Sequence, residues 1–162
     1  THNGKQVGEL SSTAKKSFVP TKILGASGDG GMTVSNNDDL AEQARIIRVN
    51  GSKPKYHHHV LGYNSRLDEM QAAILSVKLP HLSTWSEKRR KHADYYTKRL
   101  TECKSVITPT EVEGNYHVFH QYTLRVENRD ELQRFLKEQG ISTMIYYPIP
   151  LHVHPVFKNL VY

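Results

Sequence analysis

Apolar positions in the first part of the chain follow the spacing of short strands and then of a helix. Glycine and proline interrupt residues 1–35, in which residues 32–35 predict a short β-strand. Asn36 or Asn37 can cap the helix that follows, because acidic residues come next and suit the positive end of a helix dipole. The apolar face of this helix would consist of Leu40, Ala44 and Ile47.

A second helical pattern runs from Arg66 to Leu100. Two apolar stripes recur there at helical spacing, and Pro80 between them should kink the helix or start a new one at its first turn. The length of this pattern predicts a long helical connector between two α/β parts.

The last third of the chain alternates between strand and helix patterns. Apolar and polar residues alternate over residues 118–126, which predicts a half-buried strand. Asn128 and Glu131 are then typical of a capping box, at the start of a helix that Gly140 ends. Residues 141–147 predict a second strand, so this part would form a strand–helix–strand unit. The whole pattern favours an α/β fold.

Composition narrows the function classes only slightly. The chain has 162 residues, a net charge of +6 and one cysteine, Cys103, which excludes an internal disulfide framework and fits a reducing cytoplasm. No apolar stretch is long enough to cross a membrane, and the first residues do not form a signal-peptide pattern. The basic run at 88–91 is typical of a solvated helix face, and no nucleic-acid-binding module accompanies it. We expect a cytoplasmic protein with neither nucleic acid nor membrane as a partner.

Lys22 stands in the segment from Ser17 to Gly31, which is the richest in candidate chemistry. It lies in a turn-prone stretch after a strand. A partly desolvated turn can favour the uncharged amine that imine formation needs, although most lysines in such loops are simply solvated. Ser17 could donate to a phosphate or bond its own backbone, and residues 28–31 could cradle an anion or form an ordinary glycine turn.

Two further segments carry polar residues at places suited to ligands. Asn64 and Arg66 stand where a loop enters a helix, which suits phosphate or carboxylate groups, although Asn64 could instead cap the helix and Arg66 lie on the surface. In residues 146–157, three prolines stiffen a loop with His152, which could bind a substrate or simply pack. The histidines at 57–59 have no carboxylate or cysteine at ligand spacing, so no metal site is expected.

Taken together, three of these segments resemble the DegT/StrS-type family of pyridoxal-phosphate-dependent nucleotide-sugar aminotransferases. The family's motifs are close to S-F-F-P-T-K-N-L-G with G-D-G-G, then G-Y-N-x-R-x-D-E-x-Q-A-A, then Y-Y-P-x-P-L-H. Here they stand in the same order at residues 17–31, 62–73 and 146–152, and residues 117–132 also look like the family. The resemblance covers nearly the whole chain.

The resemblance implies a role for five residues. Lys22 matches the lysine that binds pyridoxal 5'-phosphate covalently, and Ser17 matches a hydroxyl that holds the cofactor's phosphate. Asn64 matches a residue that reaches the cofactor phosphate of the neighbouring subunit, which implies a homodimer with a shared active site. Arg66 is similar to an arginine that can hold an anionic amino donor, and His152 is similar to a substrate-side histidine.

The implied fold is an α/β one, part of a fold-type I transferase. By the resemblance, residues 1–78 are the C-terminal part of the large cofactor-binding domain, 79–102 a connecting helix and 103–162 part of the small domain. The implied reaction moves an amino group from an amino acid, usually glutamate in this family, to a nucleotide-linked keto-sugar. The family's acidic partner of the pyridine nitrogen would lie before Thr1 and its last helices beyond Tyr162, so we expect this chain alone to be inactive.

Two other interpretations stay open. A non-catalytic relative or interaction module could keep the fold and bind no cofactor, since Val19 and Ile23 replace the residues usual beside the family's lysine, and Lys15 and Lys16 stand where less polar strand residues are usual. A basic nucleic-acid-binding protein is the weaker alternative. A cofactor bound at Lys22 would favour the enzyme over the non-catalytic alternative. Binding to nucleic acid that weakens steeply with salt would favour the nucleic-acid-binding protein.

Overall fold

The computed structural model describes residues 1–158 and divides the chain into two compact units. The first unit consists of Thr1–Cys103 and Thr108–Thr123, and the second of Lys104–Ile107 and Leu124–Tyr162. The whole helical region up to Leu100 therefore belongs to the first unit. The division into three functional parts that the resemblance implies stays a prediction.

The first unit begins with a two-stranded antiparallel sheet. A single 3-10 turn at Val7–Glu9 precedes β1, Thr13–Ser17, which pairs with β2, Gly31–Ser35. Ser17 lies opposite Gly31 in the register, so the residues between them form a long connection that leaves and returns at one end of the hairpin. The predicted strand at 32–35 is confirmed, and Lys22 lies in this connection.

Helix α1, Asp38–Ile47, packs next to β2. Asn37, one of the two predicted caps, accepts a hydrogen bond on Oδ1 from the backbone N–H of Leu40 at 3.0 Å, which satisfies one of the donors left open at a helix start. Beyond the helix, Asn50 and Gly51 adopt left-handed backbone angles, with φ of 63° and 73°. The chain thereby turns back along the end of α1, as the Asn-Gly pair predicts.

Two further helices complete the first unit. Helix α2 spans Glu69–Lys78, a 3-10 turn spans Leu79–His81, and helix α3 spans Leu82–Leu100. Pro80 sits in the 3-10 turn, where its missing N–H costs no helical hydrogen bond. The long helical pattern is therefore confirmed as two helices with a break at the proline. Within residues 1–158 the buried apolar residues are few: Ala26, Leu75 and Ala93.

The second unit contains a short antiparallel pair, β3 at Val106–Ile107 and β4 at Arg125–Val126, followed by α4 at Arg129–Glu138. Its last described elements are two 3-10 turns, Leu151–Val153 and Pro155–Phe157. Helix α4 is confirmed, and Gly140 after it has a φ of 77°. Asn128 precedes the helix but makes no side-chain capping bond.

The two strands predicted in the last third are largely wrong. Of residues 118–126 only the last two pair with another strand, and residues 141–147 form no strand. Alternation describes which side of a strand faces a core, but a strand also needs a neighbour to complete its hydrogen bonds. The described part of the chain supplies that neighbour only at β3. The strand–helix–strand unit is therefore not formed there.

None of the helices described within residues 1–158 combines the length and the apolar character that crossing a bilayer requires. The same residues also contain no group of three or more histidine, cysteine, aspartate or glutamate side chains placed to hold a metal ion. In the histidine run, His58 uses Nδ1 to contact the backbone carbonyl of Asn50 at 2.8 Å, which is a local loop contact.

Candidate active site

Lys22 lies on a tight turn directly after β1. Its backbone N–H donates to the carbonyl of Val19 at 2.8 Å, across a turn that contains Pro20, whose ring restricts the backbone angle. The Lys22 side chain is exposed, and no carboxylate within residues 1–158 pairs with its amine. The turn therefore presents a primary amine that forms no ion pair within residues 1–158.

The connection that holds this turn is closed on itself by backbone hydrogen bonds. The N–H of Phe18 donates to the carbonyl of Gly30 at 2.8 Å, and the N–H of Ala26 donates to the carbonyl of Phe18 at 2.7 Å. Gly25 passes so close to Pro20 that a Cβ on it would lie 2.5 Å from the proline carbonyl oxygen. A side chain at position 25 would therefore push the turn that carries Lys22 out of place.

Helix α2 supports the same connection from behind. Gln71 accepts a hydrogen bond on Oε1 from the backbone N–H of Ser27 at 2.9 Å, and Lys78 donates to the carbonyl of Gly25. A Cβ on Gly28 would lie 3.0 Å from the Gln71 amide nitrogen. Both side chains thus fix the backbone around Lys22. These contacts could not be predicted from local sequence patterns, since the partners are more than forty residues apart.

Ser17 lies at the same end of the hairpin as the turn of Lys22. It is the last residue of β1 and is exposed. The backbone N–H of Val19 donates to its Oγ over a long 3.5 Å, so the local backbone bond expected of such a serine is present but weak. Because that bond uses Oγ as an acceptor, the hydroxyl proton is left for another group, such as a phosphate oxygen.

Asn64 and Arg66 lie together on the loop before α2. The Nε of Arg66 donates to Oδ1 of Asn64 at 3.2 Å, and both residues are exposed. The backbone of this loop is tied to the end of α1, where Ser65 N–H donates to the Arg48 carbonyl at 2.9 Å. Asn64 does not cap α2, which begins at Glu69. Instead its amide NH₂ group and the terminal nitrogens of Arg66 remain available as donors.

His152 lies in the second unit, exposed on the 3-10 turn Leu151–Val153. The structure thus brings Ser17 and Lys22 to one end of one hairpin and pairs Asn64 with Arg66 within the same unit. The substrate-side role of His152 stays a prediction from the resemblance.

Arg90 makes a bidentate ion pair that sequence reasoning missed. It donates from Nη1 and Nη2 to the two carboxylate oxygens of Glu111 at 2.7 and 2.9 Å, and from Nη1 to the carbonyl of His117 at 2.6 Å. Its guanidinium also lies over the ring of Tyr116, 4.2 Å from the centroid. The expectation of a solvated basic face at 88–91 is therefore wrong for Arg90, which ties α3 to residues 111–117 through partners distant in sequence.

Comparison with known proteins gives one family for the whole chain. The sequence profile of the DegT/DnrJ/EryC1/StrS aminotransferase family matches residues 1–162. A pleiotropic regulatory protein of Geobacillus stearothermophilus is 68% identical over 163 residues, which cover 99% of this chain and 44% of that protein. The dTDP-3-amino-3,4,6-trideoxy-alpha-D-glucose transaminase of Streptomyces venezuelae is 42% identical over 158 residues, covering 98% of this chain and 42% of the transaminase.

A solved structure agrees with the sequence comparison. The crystal structure of Streptomyces venezuelae DesV in complex with a ketimine intermediate superposes with a TM-score of 0.93 and 42% identity, over 96% of this chain and 42% of DesV. This chain therefore spans less than half the length of the relatives it matches, and its fold is part of the fold-type I transferase fold. The chain belongs to the DegT/DnrJ/EryC1/StrS aminotransferase family.

Proposed function

We propose that this chain is part of a pyridoxal-phosphate-dependent aminotransferase that transfers an amino group to a nucleotide-linked keto-sugar. The observation that carries the proposal is the exposed, unpaired amine of Lys22 on a turn that α2 and the hairpin hold in place. Support comes from the transaminase of Streptomyces venezuelae, whose name describes a dTDP-linked amino sugar.

The residues of the first unit fit the cofactor by their chemistry. Pyridoxal phosphate needs a primary amine for its aldehyde and donors for its phosphate, and the hairpin end offers the amine of Lys22 and the hydroxyl of Ser17. When bound, the cofactor supplies the electron sink that makes the α-carbon of an amino acid acidic. Ser17 would hold the phosphate by donating a hydrogen bond from its hydroxyl group. The closed connection would keep this hydroxyl and the Lys22 amine at a fixed distance from each other.

Lys22 would carry the proton that transamination must move. When it is not bound to the cofactor, Nζ of Lys22 would act as the base that takes a proton from the α-carbon of the amino donor. The backbone bond to Val19 and the contact of Gly25 with Pro20 hold the turn. The side chain could therefore change rotamer while its backbone stays fixed, which a proton carrier requires.

Asn64 and Arg66 would serve the active site of a second copy of this chain. Because Oδ1 of Asn64 accepts from Arg66, the Asn64 amide can present its NH₂ group as a donor to the partner's cofactor phosphate. The terminal nitrogens of Arg66 can then bind the carboxylate of an amino donor such as glutamate. This arrangement makes the active site depend on two subunits.

The surface around this pair supports a homodimer. Apolar and aromatic side chains are largely exposed on the same loop and on α2, and include Leu61 at 98% and Met70 at 78% exposed. Exposed apolar side chains of this size are typical of interaction surfaces. A second copy that covers them would bring Asn64 and Arg66 to its own Lys22.

Mixing two inactive variants tests the proposal. The full gene-encoded protein is prepared with either Lys22→Ala or Arg66→Ala. L-glutamate is then added to each variant while the absorbance of the bound cofactor is followed. Each variant alone should convert no cofactor. If one site uses Lys22 from one subunit and Arg66 from the other, subunit exchange should restore about a quarter of wild-type conversion, because half of the random dimers have one intact site.

The matched control is a mixture of Lys22→Ala with the double variant Lys22→Ala/Arg66→Ala, which contains no intact lysine and should stay inactive. Absence of any recovery in the first mixture, with subunit exchange verified by mass spectrometry of differently tagged chains, would contradict the shared site. A wild-type protein that shows no cofactor absorbance at all would contradict the proposed aminotransferase function.

A regulatory protein without catalysis is the second candidate. The relative from Geobacillus stearothermophilus is named a pleiotropic regulatory protein and is 68% identical. In that case the fold and Lys22 would be retained while glutamate causes no spectral change. The absorbance experiment therefore also separates the two candidates.

A further inference from the structure

The backbone on either side of a loop at residues 51–62 pairs as a short ladder next to Asn64. The N–H of Tyr63 donates to the carbonyl of Ile47 at 2.7 Å, and the N–H of Asn50 donates to the carbonyl of Tyr63 at 3.0 Å. Val49 and Asn64 lie opposite each other as an isolated antiparallel bridge. The segment after α1 therefore holds the backbone from which the Asn64 side chain extends.

Two glycines close the neck of this loop, backbone against backbone. Gly51 is buried and left-handed, and a Cβ on it would overlap the carbonyl oxygen of Val60. A Cβ on Gly62 would overlap the backbone nitrogen of Gly51 and lie 2.6 Å from the carbonyl oxygen of Ile47. The N–H of His59 donates to the Gly51 carbonyl at 3.0 Å. No side chain fits in the neck, so the two ends of the loop are held in direct backbone contact.

His58 ties the loop to the ladder. Its Nδ1 lies 2.8 Å from the carbonyl oxygen of Asn50, and because a carbonyl oxygen can only accept, Nδ1 carries the proton and donates. Asn50 is left-handed, with a φ of 63°, and it is the residue whose N–H holds Tyr63. His58 therefore secures the residue that pairs with Tyr63. The neighbouring imidazole of His57 takes part in none of the side-chain hydrogen bonds that this loop makes within residues 1–158.

We propose that His58 is a positioning residue for Asn64 and Arg66. Its hydrogen bond holds Asn50, and Asn50 anchors the ladder that carries Asn64. Because Nε of Arg66 donates to Oδ1 of Asn64 at 3.2 Å, a shift of Asn64 also moves the guanidinium. The importance of this position for transamination rests on the proposed function, whereas the effect of His58 on the backbone does not.

Hydrogen exchange in the cofactor-free protein tests the effect on the backbone. Exchange of the Asn50 and Tyr63 N–H groups in the full gene-encoded protein is followed by mass spectrometry with fragmentation to single residues. In His58→Leu, which has no donor, both groups should exchange about three- to tenfold faster, because the ladder opens more often. His58→Asn keeps an N–H donor close to the position of Nδ1 and should stay within about twofold of wild type.

His57→Leu is the matched control, since it removes a neighbouring imidazole that makes no such bond, and it should leave the exchange unchanged. The N–H of Tyr96, in the middle of α3 and in the same unit, reports the global stability and should exchange equally in all four proteins. Unchanged exchange at Asn50 in His58→Leu, or an equal increase in His57→Leu or at Tyr96, would overturn the proposal. His58 is exposed, so its replacement leaves no cavity. If His58→Leu does not fold, His58→Ala takes its place.

Mixed dimers test which active site the positioning serves. Chains with Lys22→Ala and chains with Arg66→Ala are mixed, and His58→Leu is added to one or the other. The intact site takes Lys22 from the Arg66→Ala chain and Arg66 from the Lys22→Ala chain. The glutamate concentration for half-maximal conversion of the cofactor should therefore rise about three- to tenfold when His58→Leu is on the Lys22→Ala chain. It should stay within about twofold when His58→Leu is on the Arg66→Ala chain.

The two placements of His58→Leu also distinguish positioning from a general loss of stability. An equal effect from both placements, or an effect from neither, would overturn the proposal. A mixture that converts no cofactor even without His58→Leu would refute the shared site of the proposed function, and hydrogen exchange would then decide the role of His58. Faster exchange in a protein that binds no pyridoxal phosphate would leave the positioning standing.

Discussion

The ion pair between Arg90 and Glu111 should stabilise the first unit by an amount that depends on pH. Both side chains are about one quarter exposed, at 25% and 26%, and the pair is bidentate. The Arg90 guanidinium and the backbone N–H of His117 lower the pKa of Glu111 from its ordinary 4.5 to about 2. Folding therefore favours the charged carboxylate.

The size of the effect follows from the pKa. At ~1.4 kcal/mol for each unit of pKa, the fall from 4.5 to about 2 sets an upper limit of about 3 kcal/mol at neutral pH. Partial exposure lets water screen the pair, so we expect about 1–2 kcal/mol. Because the folded pKa is the lower one, this stability is present above pH ~4.5 and is lost as the pH falls towards 2.

Urea unfolding of wild type, Arg90→Met, Glu111→Gln and the double variant measures the pair as a double-mutant cycle. The coupling energy should be about 1–2 kcal/mol at neutral pH and should fall by roughly half or more at pH 3. Lys91→Met, the neighbouring cation on α3, is the control and should change stability little. A coupling energy near zero at neutral pH, or one that does not fall in acid, would refute this reasoning.

Two further substitutions test the local structure that holds the site. Asn37→Ala should destabilise the protein by about 1 kcal/mol in thermal or urea unfolding, because the N–H of Leu40 loses its capping acceptor; a neutral effect would contradict the cap. Gly25→Ala should weaken the binding of pyridoxal phosphate, because the added Cβ forces the turn of Lys22 away from Pro20. An unchanged cofactor affinity would contradict a turn held by that contact.

The helices could be predicted from the sequence because their signals are local. Asn37 lies three residues before the N–H that it caps, and Pro80 marks the break between α2 and α3. The strand predicted at 118–126 is mostly absent, because a strand depends on a neighbour for pairing, and only β4 at the end of this segment has one. Alternation of apolar residues carries no information about such a partner.

The candidate site shows the same difference between local and distant contacts. The motif around Lys22 identified the turn, because the serine, proline, lysine and glycines that build it are contiguous. The groups that hold this turn come from elsewhere in the chain: Gln71 and Lys78, both from α2. A single sequence gives no measure of contacts between residues so far apart, and only the fold brings them together.

The central claim is that Lys22 is the lysine that binds pyridoxal phosphate. Its most direct test is reduction of the cofactor-loaded, gene-encoded protein with borohydride, followed by digestion and mass spectrometry of all lysine peptides, with Lys22→Ala and Lys15→Ala prepared alongside. We predict the cofactor's added mass on Lys22 alone in wild type and Lys15→Ala, and its loss in Lys22→Ala. Modification of a different lysine, or a protein that retains no cofactor, would contradict the account.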